Sequence, residues 1–242
     1  MAEKPLDLLA VMSHPDDAEL LCGGSLIKAA QRGKHVGILD LTAGEFGSAG
    51  SKEIREREAQ RSAEIMGIEI RQCVGLPDAG IENDKPSRYV VAQYLRALRP
   101  RVVVTHWIVG RHRDHRVAAE LVRDACFISG LKKLEVEGDP FRPLKLVYAT
   151  AFREDVDQPS FVVDISQQLR RKLEALSCFT SQFEGVRGYG EVYPGGERDI
   201  LEQVRMKMGH YGSLIRVEYG EPFRVGEPFD VADLSQLTVA TF

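Results

Sequence analysis

The chain has 242 residues, 43% of them hydrophobic and 28% charged, with a formal net charge of −4. A chain of this length buries a sizeable core, and α/β chains of this size commonly form one domain, here expected over 1–242. The acidic balance argues against a general nucleic-acid binder, so an anionic ligand has to meet a local cluster of cations.

Residues 6–13 form a short apolar run closed by a turn, the pattern of a buried parallel strand. Residues 18–32 show helical spacing at Leu20, Leu21, Leu26, Ile27 and Ala30, and the pattern stops at Gly33. A second strand is expected over 35–42, then a Gly/Ser-rich loop over 43–51 and a charged helix over 52–66. The third strand, 69–75, runs into Leu76-Pro77-Asp78-Ala79-Gly80, which is turn chemistry. A helix over 87–98, a strand over 101–106 and a helix over 115–129 continue the alternation. The fold class is therefore α/β: a Rossmann-like, mostly parallel sheet with helices on both faces. The last third is less regular. Two further strands, 145–152 and 160–165, are expected at one sheet edge, followed by a helix over 166–182. A glycine-rich mobile loop over 184–197, a helix over 197–211 and an extended tail complete the chain.

Cys22, Cys73, Cys126 and Cys178 are widely spaced and form no C-x-x-C pair, so they read as small apolar residues in a reducing compartment. The opening residues lack the pattern of a secretory signal, and no segment approaches membrane-spanning length. A cytoplasmic protein with no membrane or nucleic-acid partner is expected.

Two segments carry chemistry: Ser13-His14-Pro15-Asp16-Asp17 and Arg111-His112-Arg113-Asp114-His115. Each follows the carboxyl end of an expected parallel strand, where open α/β sheets bind ligands, and in the common strand order those two strands are neighbours. A catalytic zinc site needs three N/O ligands, an open position for water and a nearby carboxylate. His14, Asp17 and His115 can supply the ligands, which leaves Asp16 free as the base. A cationic His112 can stabilise an oxyanion or protonate a leaving amine, with Asp114 orienting it by a hydrogen bond. Plainer readings stand beside these. An Asp pair at a strand end also caps the helix that follows, and a loop histidine is commonly solvated. His106 reads as a strand-end residue near the site, and His35 and His210 as structural.

His14-Pro15-Asp16-Asp17 taken with His112-x-Asp114-His115 resembles the LmbE-like (PIG-L) N-acetylglucosamine deacetylase family. The likeness extends to Gly23-Gly24-Ser25, Asp40-Leu41-Thr42, Arg55 with Glu58 and Ala59, and the turn at 76–80. Residues 161–166, 181–183 and 218–223 add to it. Together these are similar to the bacillithiol-pathway branch, which deacetylates N-acetylglucosaminyl-malate. The resemblance implies one zinc ion per chain on His14, Asp17 and His115, with Asp16 as base and His112 as oxyanion stabiliser or acid. It implies Arg55, Asp78 and Arg111 as substrate contacts, a small-molecule amino-sugar glycoside as partner, and a homo-oligomer, hexamers being frequent in the family. Two His and one Asp also suit iron(II) and other divalent metals. The stretch 105–110 departs from the family pattern and leaves the aglycone open. Inositol, chitobiose and thiol-conjugate substrates are alternatives within the same chemistry. A non-enzymatic sugar-binding module is the alternative of another class, against which no G-x-G-x-x-G follows the first strand. A dianionic malate favours arginine, whose planar fork binds carboxylates bidentately, with Arg187 a further candidate. Arg55 also lies in a mixed charge run, Glu53 to Glu58, of the kind found on solvated helix faces.

Overall fold

Strand and helix alternate through Ile128 in the computed structural model, which describes residues 4–47, 51–153, 158–183, 199–228, 233 and 235. The order is β1 (Leu8–Met12), α1 (Asp17–Gln31), β2 (Val36–Asp40), α2 (Lys52–Met66), β3 (Ile70–Cys73), α3 (Lys85–Leu98), β4 (Val102–His106) and α4 (Arg113–Ile128). There follow β5 (Lys145–Ala149), β6 (Phe161–Asp164), α5 (Leu169–Leu176), α6 (Thr180–Phe183), α7 (Ile200–Leu214) and β7 (Gly220–Arg224). The strands form one sheet of order β3-β2-β1-β4-β5-β7-β6. The first five run parallel, and β7 lies antiparallel to both its neighbours. Side chains of β1 alternate between the two faces as strand geometry requires. Ala10 and Met12 join the core under α1, α5 and α7, whereas Leu9 and Val11 join the core under α3 and α4. Burial on both faces explains why this strand reads as an unbroken apolar run. No helix among the described residues is long and apolar enough to cross a membrane.

Three elements depart from expectation. The segment expected as one helix over 166–182 is α5 and α6, separated at Ser177 to Phe179. Helix α4 starts at Arg113 with His112 as its N-cap, which brings Asp114 and His115 into the first turn. Strand β7 falls in what reads as an extended tail; its Gly220 and Pro222 are residues depleted in strands. It separates β5, which continues the parallel sheet, from β6 at the edge. The loop expected over 184–197 and its Arg187 lie outside the described residues.

Helix α1 is tied to the last strand through its backbone. The N–H groups of Gly24 and Ser25 donate to Glu221 of β7 at 2.8 and 2.7 Å. Lys172 of α5 donates to the Leu20 carbonyl at 3.0 Å and pairs with Glu221 at 2.6 Å, both side chains being 0% exposed. The close packing here needs Gly24, since a Cβ at that position would come within 2.8 Å of Ile165.

Candidate active site

Strands β1 and β4 pair in parallel where the strand order reverses, so the loops after Met12 and His106 leave the same end of the sheet side by side. Asp17 opens α1 and is the hub. Its Oδ2 lies 3.1 Å from His14 Nδ1, and its Oδ1 lies 3.2 Å from His115 Nε2. The His14 backbone N–H also donates to Oδ2, at 2.9 Å, which fixes the carboxylate in place. Burial disfavours its charge, but His115 and His106 hold Asp17 well below the usual carboxylate range.

Asp16 differs from its neighbour in every respect. Its φ of 113° is left-handed, a strain of about 1–3 kcal/mol for a residue other than glycine, and its side chain makes no capping bond to α1. The helix-cap reading therefore does not describe Asp16. Burial and the adjacent Asp17 charge raise its carboxyl to about 8, against the opposing pull of Arg55 and His14.

The donor set fits a divalent ion. Ligands about 2.0–2.2 Å from a tetrahedral zinc stand about 3.3 Å apart, close to the two separations around Asp17. Donor atoms of His14, His112 and His115 gather within 4.8 Å of one another, as do those of Asp17, His106 and His115. His106 is removed from the ligand set by its own hydrogen bond. Its Nε2 accepts the Ser13 N–H at 2.9 Å, so the lone pair a metal would use is occupied. Burial and the charge of His115 push His106 down to about 4. It stacks on His115 at 4.0 Å and 11°, which fixes the plane of that ring.

His112 faces the same cleft, stacked on His115 at 4.4 Å. The expectation of a cationic His112 is not met. Burial first, then the charges of His115 and His14, lower it to about 4, so the ring is neutral near pH 7. Nor does a hydrogen bond join Asp114 to His112 among the described residues. Asp114 lies 3.6 Å from His14 Nε2 and 3.3 Å from Arg113, and its buried Oδ2 has no hydrogen-bond partner.

The three residues expected to touch substrate stand in different places. Arg55 is buried and has no solvated face. It donates to the Gly44 carbonyl and, at 3.0 Å, to the Pro15 carbonyl, and it lies 3.8 Å from Asp16. Gly44, at φ +67°, leaves room for this guanidinium; a Cβ there would sit 1.9 Å from Arg55 Nη1. Asp78 is buried against His14 Nε2 at 3.1 Å, and that contact holds its pKa down to about 2 despite burial. Arg111 is exposed and lines the cleft together with Leu20 and Phe152. Arg153, four residues beyond β5, lines it too. Nothing in the sequence marks Arg153, because its place depends on β5 pairing with β4.

A family model described as PIG-L, GlcNAc-PI de-N-acetylase, matches residues 9–126, from β1 through most of α4. A 1D-myo-inositol 2-acetamido-2-deoxy-alpha-D-glucopyranoside deacetylase of Segniliparus rotundus is 30% identical over 178 residues, 58% of this chain. That alignment spans 56% of the relative's own length. A probable N-acetyl-alpha-D-glucosaminyl L-malate deacetylase 2 of Bacillus anthracis is 28% identical over 73% of this chain and 81% of that protein. The conserved protein TT1542 of Thermus thermophilus superposes with a TM-score of 0.85 at 38% identity, over 96% of this chain and 100% of that one. The matched span holds every expected metal ligand, and the whole-chain likeness carries the architecture beyond it: the chain belongs to the PIG-L family.

Proposed function

We propose that the chain is a metal-dependent de-N-acetylase of an N-acetylglucosamine glycoside, with one zinc ion per chain held by His14, Asp17 and His115. The observation that carries this reading is the convergence of those three side chains on the β1–β4 switch point with Asp16 beside them. When bound, the ion polarises the substrate carbonyl and acidifies water. Asp16 takes a proton from the attacking water; beside a divalent charge its carboxyl ionises more readily than the value of about 8 implies. Once protonated, Asp16 is placed to pass that proton to the departing amine nitrogen. His112, held neutral, offers an N–H to the carbonyl oxygen as negative charge develops there. Arg55 fixes the loop that carries Asp16 through the Pro15 carbonyl.

For the aglycone we propose malate, making this a step in bacillithiol biosynthesis. The support is Arg111 and Arg153 on one cleft together with the Bacillus relative's name. Four cysteines without a disulfide agree with a cytoplasmic setting, and we expect a homo-oligomer. The test is acetate release from the N-acetylglucosaminyl conjugates of malate, inositol and chitobiose, with metal content measured alongside. Malate is expected to be turned over with the highest kcat/KM, and His115→Ala to lose both metal and turnover. Acetate from none of the three by metal-loaded protein would overturn the reading; a preference for inositol or chitobiose would replace the aglycone alone.

A further inference from the structure

The carboxylate of Asp78 faces an atom of this protein. Its Oδ1 lies 3.1 Å from His14 Nε2, while His14 Nδ1, on the other side of the ring, lies 3.1 Å from Asp17 Oδ2. The two nitrogens of one buried imidazole therefore have different partners, and a metal-binding histidine must leave one nitrogen unprotonated for the metal.

We propose that Asp78 is a positioning residue: its carboxylate accepts the Nε2 proton of His14 and so leaves Nδ1, facing Asp17, as the metal donor. The proposal rests on the metal site described above. Asp78 is built to stay where it is. Its Oδ2 accepts the Phe46 N–H at 2.8 Å, its Oδ1 accepts the Ala79 N–H at 2.8 Å, and its own N–H donates to Glu45 at 2.9 Å. Ala79 adopts a φ of 54° to make its share of this arrangement. A carboxylate held by two backbone N–H groups, on a residue whose own N–H is tied to Glu45, cannot follow a moving ligand, so the ring is fixed to the carboxylate. The charge behind Nε2 makes Nδ1 more electron-rich, as in carboxylate–histidine–zinc triads. Asp114 Oδ2, 3.6 Å from the same Nε2, adds negative charge there without a hydrogen bond. The loop after β3 thereby takes part in metal binding although it supplies no ligand.

Two measurements on the full chain test this, neither of which reads turnover. In the zinc-loaded wild type, long-range proton–nitrogen correlation spectra should show His14 protonated on Nε2 and metal-bound through Nδ1. Zinc bound through Nε2 would overturn the proposal without any variant. Chelator competition with zinc alone should show affinity about 10- to 100-fold weaker in Asp78→Asn and in Asp78→Ala, the scale for loss of such a partner. Zinc affinity within twofold of wild type in folded Asp78→Asn would also overturn it, and a raised KM there would return Asp78 to the substrate. A wild type that binds no zinc would instead sink the metal site itself, so the two failures are distinct.

Discussion

Burial and the charge of Asp17 raise the Asp16 carboxyl to about 8, whereas an aspartate in an unfolded chain titrates near ~3.9. Between these values the unfolded chain has lost a proton that the folded metal-free chain keeps, so Asp16 costs stability as pH rises through this window. The slope is at most about 1.4 kcal/mol per pH unit. Asp16→Asn carries no such penalty. In urea denaturation of metal-free protein, the variant should match wild type near pH 4 and be the more stable at pH 8. With metal bound its turnover should fall by about 10²-fold or more, the scale of general-base loss. Equal stability at pH 8 would show that Asp16 is not raised. The arginines divide likewise by position. Arg55→Lys should lower turnover of neutral and anionic glycosides alike, because Arg55 holds the Asp16 loop. Arg111→Gln and Arg153→Gln should instead lower the ratio of kcat/KM for the malate conjugate over a neutral glycoside, about 10-fold or more if a charge-assisted contact is lost. The two segments that carry the expected ligands and base were legible because each is contiguous and lies directly after a strand. Arg55 was harder to read amid the charge run from Glu53 to Glu58, yet it shares helical phase with Ala59, Ser62 and Met66, all buried. Asp78 and His106 owe their contacts with His14 and Asp17 to strand register, which no local pattern encodes.

Among the elements, α1 depends most on distant chain. Glu221 accepts from two of its amides and neutralises Lys172, so Glu221→Ala leaves a buried ammonium without its carboxylate. Removing one partner of a buried pair costs about 3–5 kcal/mol, and denaturant titration should show a loss of that size. A loss below about 1 kcal/mol would mean that water reaches Lys172 in the variant. Asp17 opens this same helix, so the Asp17 contacts to His14 and His115 share a scaffold with that pair. The alternating elements through α4 were legible from apolar runs and helical spacing, since strands buried on two faces leave a plain signature. Strand β7 was not, because Gly220, Glu221 and Pro222 are poor strand formers, and its place follows from pairing with β5 and β6.

At the scale of the molecule, every expected metal ligand lies before residue 116, yet the sheet that holds them is completed by residues 220–224. A chain ended at residue 218 keeps His14, Asp17 and His115. It also keeps an uncovered β5 edge and an uncompensated Lys172, and such edges template aggregation. That fragment is expected to be insoluble and not to take up zinc; a soluble, zinc-binding fragment would show that the first five strands fold alone. The insertion of β7 between β5 and β6 also sets an order in time. During synthesis β5 and β6 leave the ribosome before the strand that must separate them, and a β5–β6 pairing made early would have to be undone. The nascent chain therefore passes through a stage with its site segments already made and its sheet still open, when a chaperone that shields strand edges has most to offer.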